Sequence, residues 1–366
     1  MATTELDRPS GPGPPAPRRP PRRPALSRWL NSPILIATAG GVLVGAVIVV
    51  LTGHNPLQAY AAIVTGAVSG SNLAATVNRA IPIVGMGLCA AVAFRAGFFN
   101  IGGEGQLVIG GVTAAVVGVA LPLPPGLHVV VAVVAAAVAG GLYALLAAVF
   151  QTRFGVPLLI STLLLNYPAR ELASYLANHP LRDVGSGLPQ TYQVAATARL
   201  PELFGTRFHL GLVVIAVLVG AIVYVNQRTV AGYDMRMAGL NARFAEYGGV
   251  PLPRLAWSVM FSSGAIAGLV GAIEVLAIHH RFIDGSLVVP LYAWTGLMAA
   301  LLAVSSPLGV VAAGLFFSGI QTGGFGMERA TDVPRELSYI LQAVVILFLA
   351  ARTRFRFGGA DEVIRS

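Results

Sequence analysis

The chain has 366 residues, 55% hydrophobic and 11% charged, with a formal net charge of +9. A water-soluble domain carries about 25% charged residues, so this composition excludes an ordinary soluble fold and makes lipid the expected solvent. All 24 basic residues are arginine; a phosphate-binding loop of the G-x-x-x-x-G-K-[ST] type needs a lysine, so this chain cannot carry one.

Residues 1–32 are rich in Pro and Arg, including Arg18, Arg19, Arg22 and Arg23. Such a segment cannot bury enough apolar surface to fold alone and is expected to be a disordered cytoplasmic tail. Together with Arg352, Arg354 and Arg356 near the other end it holds much of the positive charge. Basic residues flanking apolar spans report the cytoplasmic side; the charge is therefore no signal for nucleic acid.

A membrane helix needs roughly 20 apolar residues to cross about 30 Å of hydrocarbon. The apolar runs predict an all-α, polytopic helix bundle over residues 33–352, with ten spans near 33–52, 74–95, 106–121, 127–150, 157–177, 209–226, 255–278, 289–304, 308–322 and 337–351. Residues 353–366 are a second cytoplasmic tail. Residues 57–69 are amphipathic and are expected on the outer surface. Spans eight and nine are short and interrupted by Ser305-Ser306-Pro307, which leaves a broken or re-entrant unit open. With the N-terminus inside, Arg95, Arg153, Arg228, Arg236, Arg243 and Arg254 fall on inner connections. The outer arginines lie mostly in the longer loops 178–208 and 323–336, mixed with acids. Both termini are thus expected inside. Five spans in each orientation is the arrangement of an inverted repeat; the only sequence echo is Gly87-Leu88-Cys89-Ala90-Ala91 with Gly296-Leu297-Met298-Ala299-Ala300.

Several polar groups interrupt these runs. The segment Phe94-Arg95-Ala96-Gly97-Phe98-Phe99-Asn100-Ile101-Gly102-Gly103-Glu104-Gly105-Gln106 places glycines, amides and a carboxylate between two spans. It reads either as an inner turn with Glu104 in water, or as irregular backbone at membrane depth with Asn100, Glu104 and Gln106 beside a path. Residues 241–250 read as a short amphipathic helix stopped by glycine. Gly264, Gly268 and Gly271 form a small-residue face for helix packing. Glu274 is the only acid in its span, and an intramembrane carboxylate is costly unless it meets water or a partner. It is a candidate site residue, with Arg79 as a potential counter-ion; Asn78 and Asn166 are weaker candidates. The six histidines show no metal-ligand spacing, no nucleophile or paired-carboxylate motif is present, and Cys89, the single cysteine, cannot form an intrachain disulfide.

The 94–106 segment resembles the A-G-x-F-N-I-G-x-E-G-Q signature of permease subunits from nucleoside and simple-sugar ABC importers. The resemblance continues through Gly155-Val156-Pro157-Leu158 to Asn166-Tyr167, Pro180-Leu181-Arg182-Asp183, Gly185-Ser186-Gly187-Leu188-Pro189-Gln190, Arg236-Met237-Ala238-Gly239-Leu240-Asn241 and Ser263-Gly264 to Glu274-Val275, covering roughly 55–352. It departs at Pro157-Leu158, Thr295 and Val304, where the family usually has Asn-Glu, Asp and Arg. The resemblance implies a permease in a bacterial plasma membrane. It would have no cofactor and would work with a separate ABC ATPase, an extracellular or periplasmic solute-binding protein and a second, paralogous permease. It makes Asn100, Glu104, Gln106, Asn166, Glu274 and Arg79 candidates for the translocation path. It makes Arg243, Phe244, Glu246 and Tyr247 candidates for docking the ATPase. A branched-chain amino acid permease and a self-contained secondary transporter are the alternatives.

Overall fold

The computed structural model describes residues 33–203, 207–340 and 342–344; both tails and most of the tenth predicted span lie outside them. The described chain is helical. In order it forms α1 Pro33–Leu51, α2 Pro56–Val68, α3 Ser71–Arg95, α4 Gly103–Ala120, α5 Leu127–Phe154 and α6 Leu158–Asn178. There follow α7 Gly211–Arg228, α8 Val230–Leu240, α9 Ala242–Tyr247, α10 Leu252–Ile273, α11 Tyr292–Leu302 and α12 Pro307–Thr331. A π-helical turn, Glu274–His279, extends α10. By length and apolarity six helices among the described residues can cross a membrane: α3, α4, α5, α7, α10 with its π turn, and α12. A seventh span results if α1 and α2, bent by 118°, are taken as one.

Three elements differ from the sequence expectation. Residues 57–69 are not laid apart on a surface: α2 packs along α12, with Ala59, Ala62, Ile63, Gly66 and Ala67 buried. The approach is close because Gly66 meets Gly323 and Gly326; a methyl on Gly66 would sit 2.8 Å from the Gly326 Cα. The eighth span shrinks to the 11 residues of α11, about 16 Å of helix and too short to cross hydrocarbon. The chain then turns through Val304 and Ser305, both with positive φ, into the 25-residue α12. Thirdly, α6 has 21 residues but carries Asn166, Arg170 and Glu171 and is absent from the apolar set.

The centre of the bundle is α10 against α4 and α5. Lipid tails are as apolar as leucine, so helices in a membrane gain by close van der Waals contact, which small residues permit. On α5, Ala132, Ala136, Gly140, Ala144 and Ala148 recur every four residues and are buried. Opposite them Val130, Val134, Val138, Leu142 and Leu146 recur at the same spacing and are exposed. The small face meets the small face of α10: a methyl on Gly264 would strike the Gly140 carbonyl, and one on Gly268 the Ala136 carbonyl. The packing role expected for these glycines is therefore present. The echo between Gly87 and Gly296 is a contact as well: a methyl on Gly296 would sit 2.6 Å from the Gly87 nitrogen. The two similar segments are the facing sides of one α3–α11 junction.

The connection between α6 and α7 lies antiparallel along the end of α10. The amides of Leu200, Val194 and Thr191 donate to the carbonyls of Leu276, His280 and Phe282, at 3.0, 2.9 and 2.9 Å. The Asp284 amide donates to the Pro189 carbonyl at 3.0 Å. A π turn leaves backbone groups without their usual helical partners, and this strap takes up the Leu276 carbonyl within it and the His280 carbonyl just after it.

Candidate functional site

The six path candidates separate into two clusters. The first is built where α4 begins. After α3 the backbone passes Gly97, at φ +80°, and re-enters the bundle. Asn100 and Gln106 exchange side-chain hydrogen bonds at 2.9 and 3.0 Å. The Asn100 amide also donates to Ser263 Oγ at 2.8 Å, and its oxygen accepts from the Gly102 amide at 3.0 Å. Ser263 lies about 16 Å along α10 from Leu252 at 1.5 Å per residue, so this is the middle of the bundle. Asn166 accepts from the Gly105 amide at 2.8 Å and donates to the Ile101 carbonyl at 3.2 Å. Glycine at 105 lets α4 lie on α6, since a methyl there would be 3.0 Å from the Ala169 Cβ.

Glu104 does not face water. Its carboxylate is buried, receives the Trp294 indole N–H at 3.0 Å and pairs with Arg170 at 3.3 Å. It also sits in the first turn of α4, where the helix dipole favours a negative charge. The Ser263 hydroxyl donates in turn to the Cys89 carbonyl of α3 at 2.7 Å, so the cluster ties α4 to α3, α6, α10 and α11, and its three amides have their polar groups engaged.

The second cluster surrounds a cavity of about 780 Å³ at the end of the bundle where α2, α10 and α12 finish and α3, α7 and α11 start. Arg79 lines it, stacked over the Phe325 ring at 5.0 Å. Glu274 is fully buried at the first position of the π turn. Neither of its oxygens makes a hydrogen bond of good geometry; the Tyr292 hydroxyl and the Arg79 guanidinium are the polar groups that interact with it. Tyr292 lines the cavity, so the carboxylate lies behind its wall. Arg79 and Glu274 form no direct ion pair: among the described residues those are Glu104–Arg170, Asp183–Arg281 and Arg335–Glu336.

Sequence reasoning missed Tyr292, His209 and Thr322, which also line this cavity. The pair Gln321-Thr322 interrupts an apolar helix and was a usable signal. His209 and Tyr292 stand at element ends far apart in the chain, and nothing local marks them. Gln321 is buried beside the cavity residue Thr322, its amide within 3.3 Å of Thr295 Oγ1 and of Gln342 Oε1.

At the opposite end of α10 the 229–251 connection folds as two helices. Asn241 caps α9 by accepting from the Phe244 amide at 3.0 Å, and Gly248 with Gly249, at φ +87°, ends it. Ala245 and Val250 point inward and are buried. Phe244 and Tyr247 are 60% and 93% exposed, and Arg243, Glu246 and Tyr247 border one surface depression. The preceding helix α8 was not foreseen; Gly239 at its end rests on the Arg95 carbonyl.

No solved structure matches the chain. The guanosine ABC transporter permease protein of Bacillus subtilis is 31% identical over 330 residues, 88% of this chain and 94% of that one. The glucose ABC transporter permease protein of Haloferax volcanii is 33% identical over 350 residues, 92% and 91% of the two chains. The nucleoside ABC transporter permease protein of Lactococcus lactis is 27% identical over 331 residues, 87% and 90%. The profile of a family described as branched-chain amino acid transport system, permease component, matches residues 72–350. A polar cavity and an exposed amphipathic helix at opposite ends of an apolar bundle agree with that match, and the chain belongs to this family of ABC transporter permeases, as a transport subunit whose ATPase is a separate polypeptide.

Proposed function

We propose that this chain is one half of the membrane path of an importer for nucleosides or simple sugars. A paralogous permease supplies the other half and a solute-binding protein delivers to the cavity end. The observation that carries the reading is the 780 Å³ polar cavity with Glu274 buried behind it. A carboxylate sealed in a membrane helix is costly and is kept where a path or gate needs it. Glu274 and Arg79 belong to the path in this reading, whereas Asn100, Glu104, Gln106 and Asn166 hold the start of α4 in place beside it. Arg243, Phe244, Glu246 and Tyr247 dock the ATPase. An inverted repeat and cytoplasmic termini in a bacterial plasma membrane complete the proposal. The relatives that transport guanosine, nucleosides and glucose support the solute class.

The test is uptake by the reconstituted importer with its own binding protein, offered guanosine, glucose and leucine. ATP-dependent uptake of guanosine or glucose is expected. Uptake of leucine alone would replace this solute class with the amino acids of the family's description.

A further inference from the structure

Buried polar atoms left without hydrogen bonds are few in a folded protein, and each calls for an explanation. Here several share one place. Among the described residues, both ring nitrogens of His209, Thr322 Oγ1 and Asn78 Oδ1 lack partners, and all three residues line the 780 Å³ cavity. His209 and Thr322 are 5% and 8% exposed.

Thr322 is the telling case. A threonine inside a helix usually satisfies its hydroxyl on the carbonyl four residues back. Thr113, Thr152 and Thr331 do so in this chain, each at 2.8 Å. Thr322 does not, although it also sits within a helix. Asn78 is held in place by its own nitrogen, which donates to the Arg207 carbonyl at 2.7 Å, and its oxygen is left over.

We infer that His209, Thr322 and Asn78 form a solute subsite for an uncharged ring bearing hydroxyl or amide groups. This rests on the importer reading above and narrows its chemistry. Burial lowers the His209 pKa from the usual imidazole value, and a neutral imidazole offers one donor and one acceptor. The threonine hydroxyl offers both, and the Asn78 oxygen accepts. A set mixing donors and acceptors without net charge matches neighbouring hydroxyls or the amide edge of a base. It does not match a carboxylate, which accepts only and would face two acceptors. The charged groups of the cavity are disposed otherwise: Arg79 is stacked on Phe325, and Glu202, Arg207 and Arg329 are exposed.

The test uses the assembled importer in proteoliposomes with an unchanged binding protein, so that a change in selectivity reports the permease. Uptake is measured for guanosine against 2′-deoxyguanosine and glucose against 2-deoxyglucose, with leucine as a third solute. The variants are Thr322→Val, which keeps the shape, His209→Phe, and His209→Gln, which restores a donor and an acceptor. The preference for the transported parent over its deoxy analogue is expected to change roughly threefold to tenfold in Thr322→Val or His209→Phe, the size of one neutral hydrogen bond, and to recover in His209→Gln. Unchanged preferences in both Thr322→Val and His209→Phe, with nucleoside or sugar uptake intact, overturn the subsite alone and leave water as the occupant. Uptake of leucine alone overturns the solute reading and the subsite with it.

Discussion

Two carboxylates that look alike in the sequence have opposite surroundings. Glu104 has an arginine, an indole N–H and a helix N-terminus; Glu274 has a tyrosine and an arginine within reach but no well-formed hydrogen bond. The chemistry of replacement should differ accordingly. Glu274→Gln keeps the shape and removes the charge. It is expected to lower uptake by about tenfold or more, the equivalent of about 1.4 kcal/mol on the rate-limiting barrier, with insertion and thermal unfolding unchanged. Wild-type uptake by this variant would remove Glu274 from both gate and path. Asn166→Leu should do the reverse. It strips partners from the Gly105 amide and the Ile101 carbonyl, and a buried group left unpaired costs about 1–3 kcal/mol. A lower Tm in detergent is the expected reading, and an unchanged Tm would mean that water replaces the amide.

At the scale of elements, the α5–α10 contact depends on backbone touching backbone. Gly268→Val forces the helices apart at the Ala136 carbonyl, and no rotamer relieves the clash because Cβ itself is the obstacle. The variant is expected to be degraded or aggregated in the membrane; recovery of monodisperse protein at wild-type yield would contradict the packing. The strap over the π turn is held by backbone amides, so its side chains matter less. The Asp183–Arg281 pair at 3.8 Å is partly exposed, and Arg281→Gln should cost at most about 1 kcal/mol. On α9, Phe244 and Tyr247 are largely exposed. Aromatic side chains dominate interfaces once buried, so Phe244→Ala or Tyr247→Ala should reduce copurification of the ATPase subunit without altering the bundle's Tm. Undiminished copurification and ATP hydrolysis coupled to transport would remove α9 from the coupling role.

The whole molecule is organised around α10. With its π turn it runs 28 residues from Leu252 to His279, roughly 40 Å of helix, from the edge of α9 to the wall of the cavity. One continuous helix therefore runs from the short 248–251 link after α9 to the buried carboxylate, so a displacement of the start of α10 has no loop between it and Glu274. α6 carries a half-buried Arg170 and an exposed Glu171 within a 21-residue helix. Charge of that kind is not left facing lipid, which supports a second permease beside this one. Reconstituting the chain with only its ATPase and binding protein is expected to give little uptake; full activity without the paralogue would show that this subunit suffices alone.

The membrane class, the places of α3, α5, α7 and α10, the small-residue face of α10 and the inward orientation of Glu274 were all legible in the sequence. They follow from apolar length, four-residue spacing and the cost of charge in hydrocarbon, each of which acts within one helix. The stop of α9 was legible for the same reason: Gly248 and Gly249 act on their immediate neighbours. Tertiary structure alone decided the rest. That α2 lies on α12, and that α11 falls short of a span, depends on what each meets across the bundle. The partners of Asn100, Gln106 and Asn166 come from elements up to 163 residues away in the chain, and the cavity gathers Asn78, His209, Tyr292 and Thr322 from four separate segments. Hydrogen-bond geometry acts over about 3 Å in space, and no pattern along the chain records which distant residues come that close.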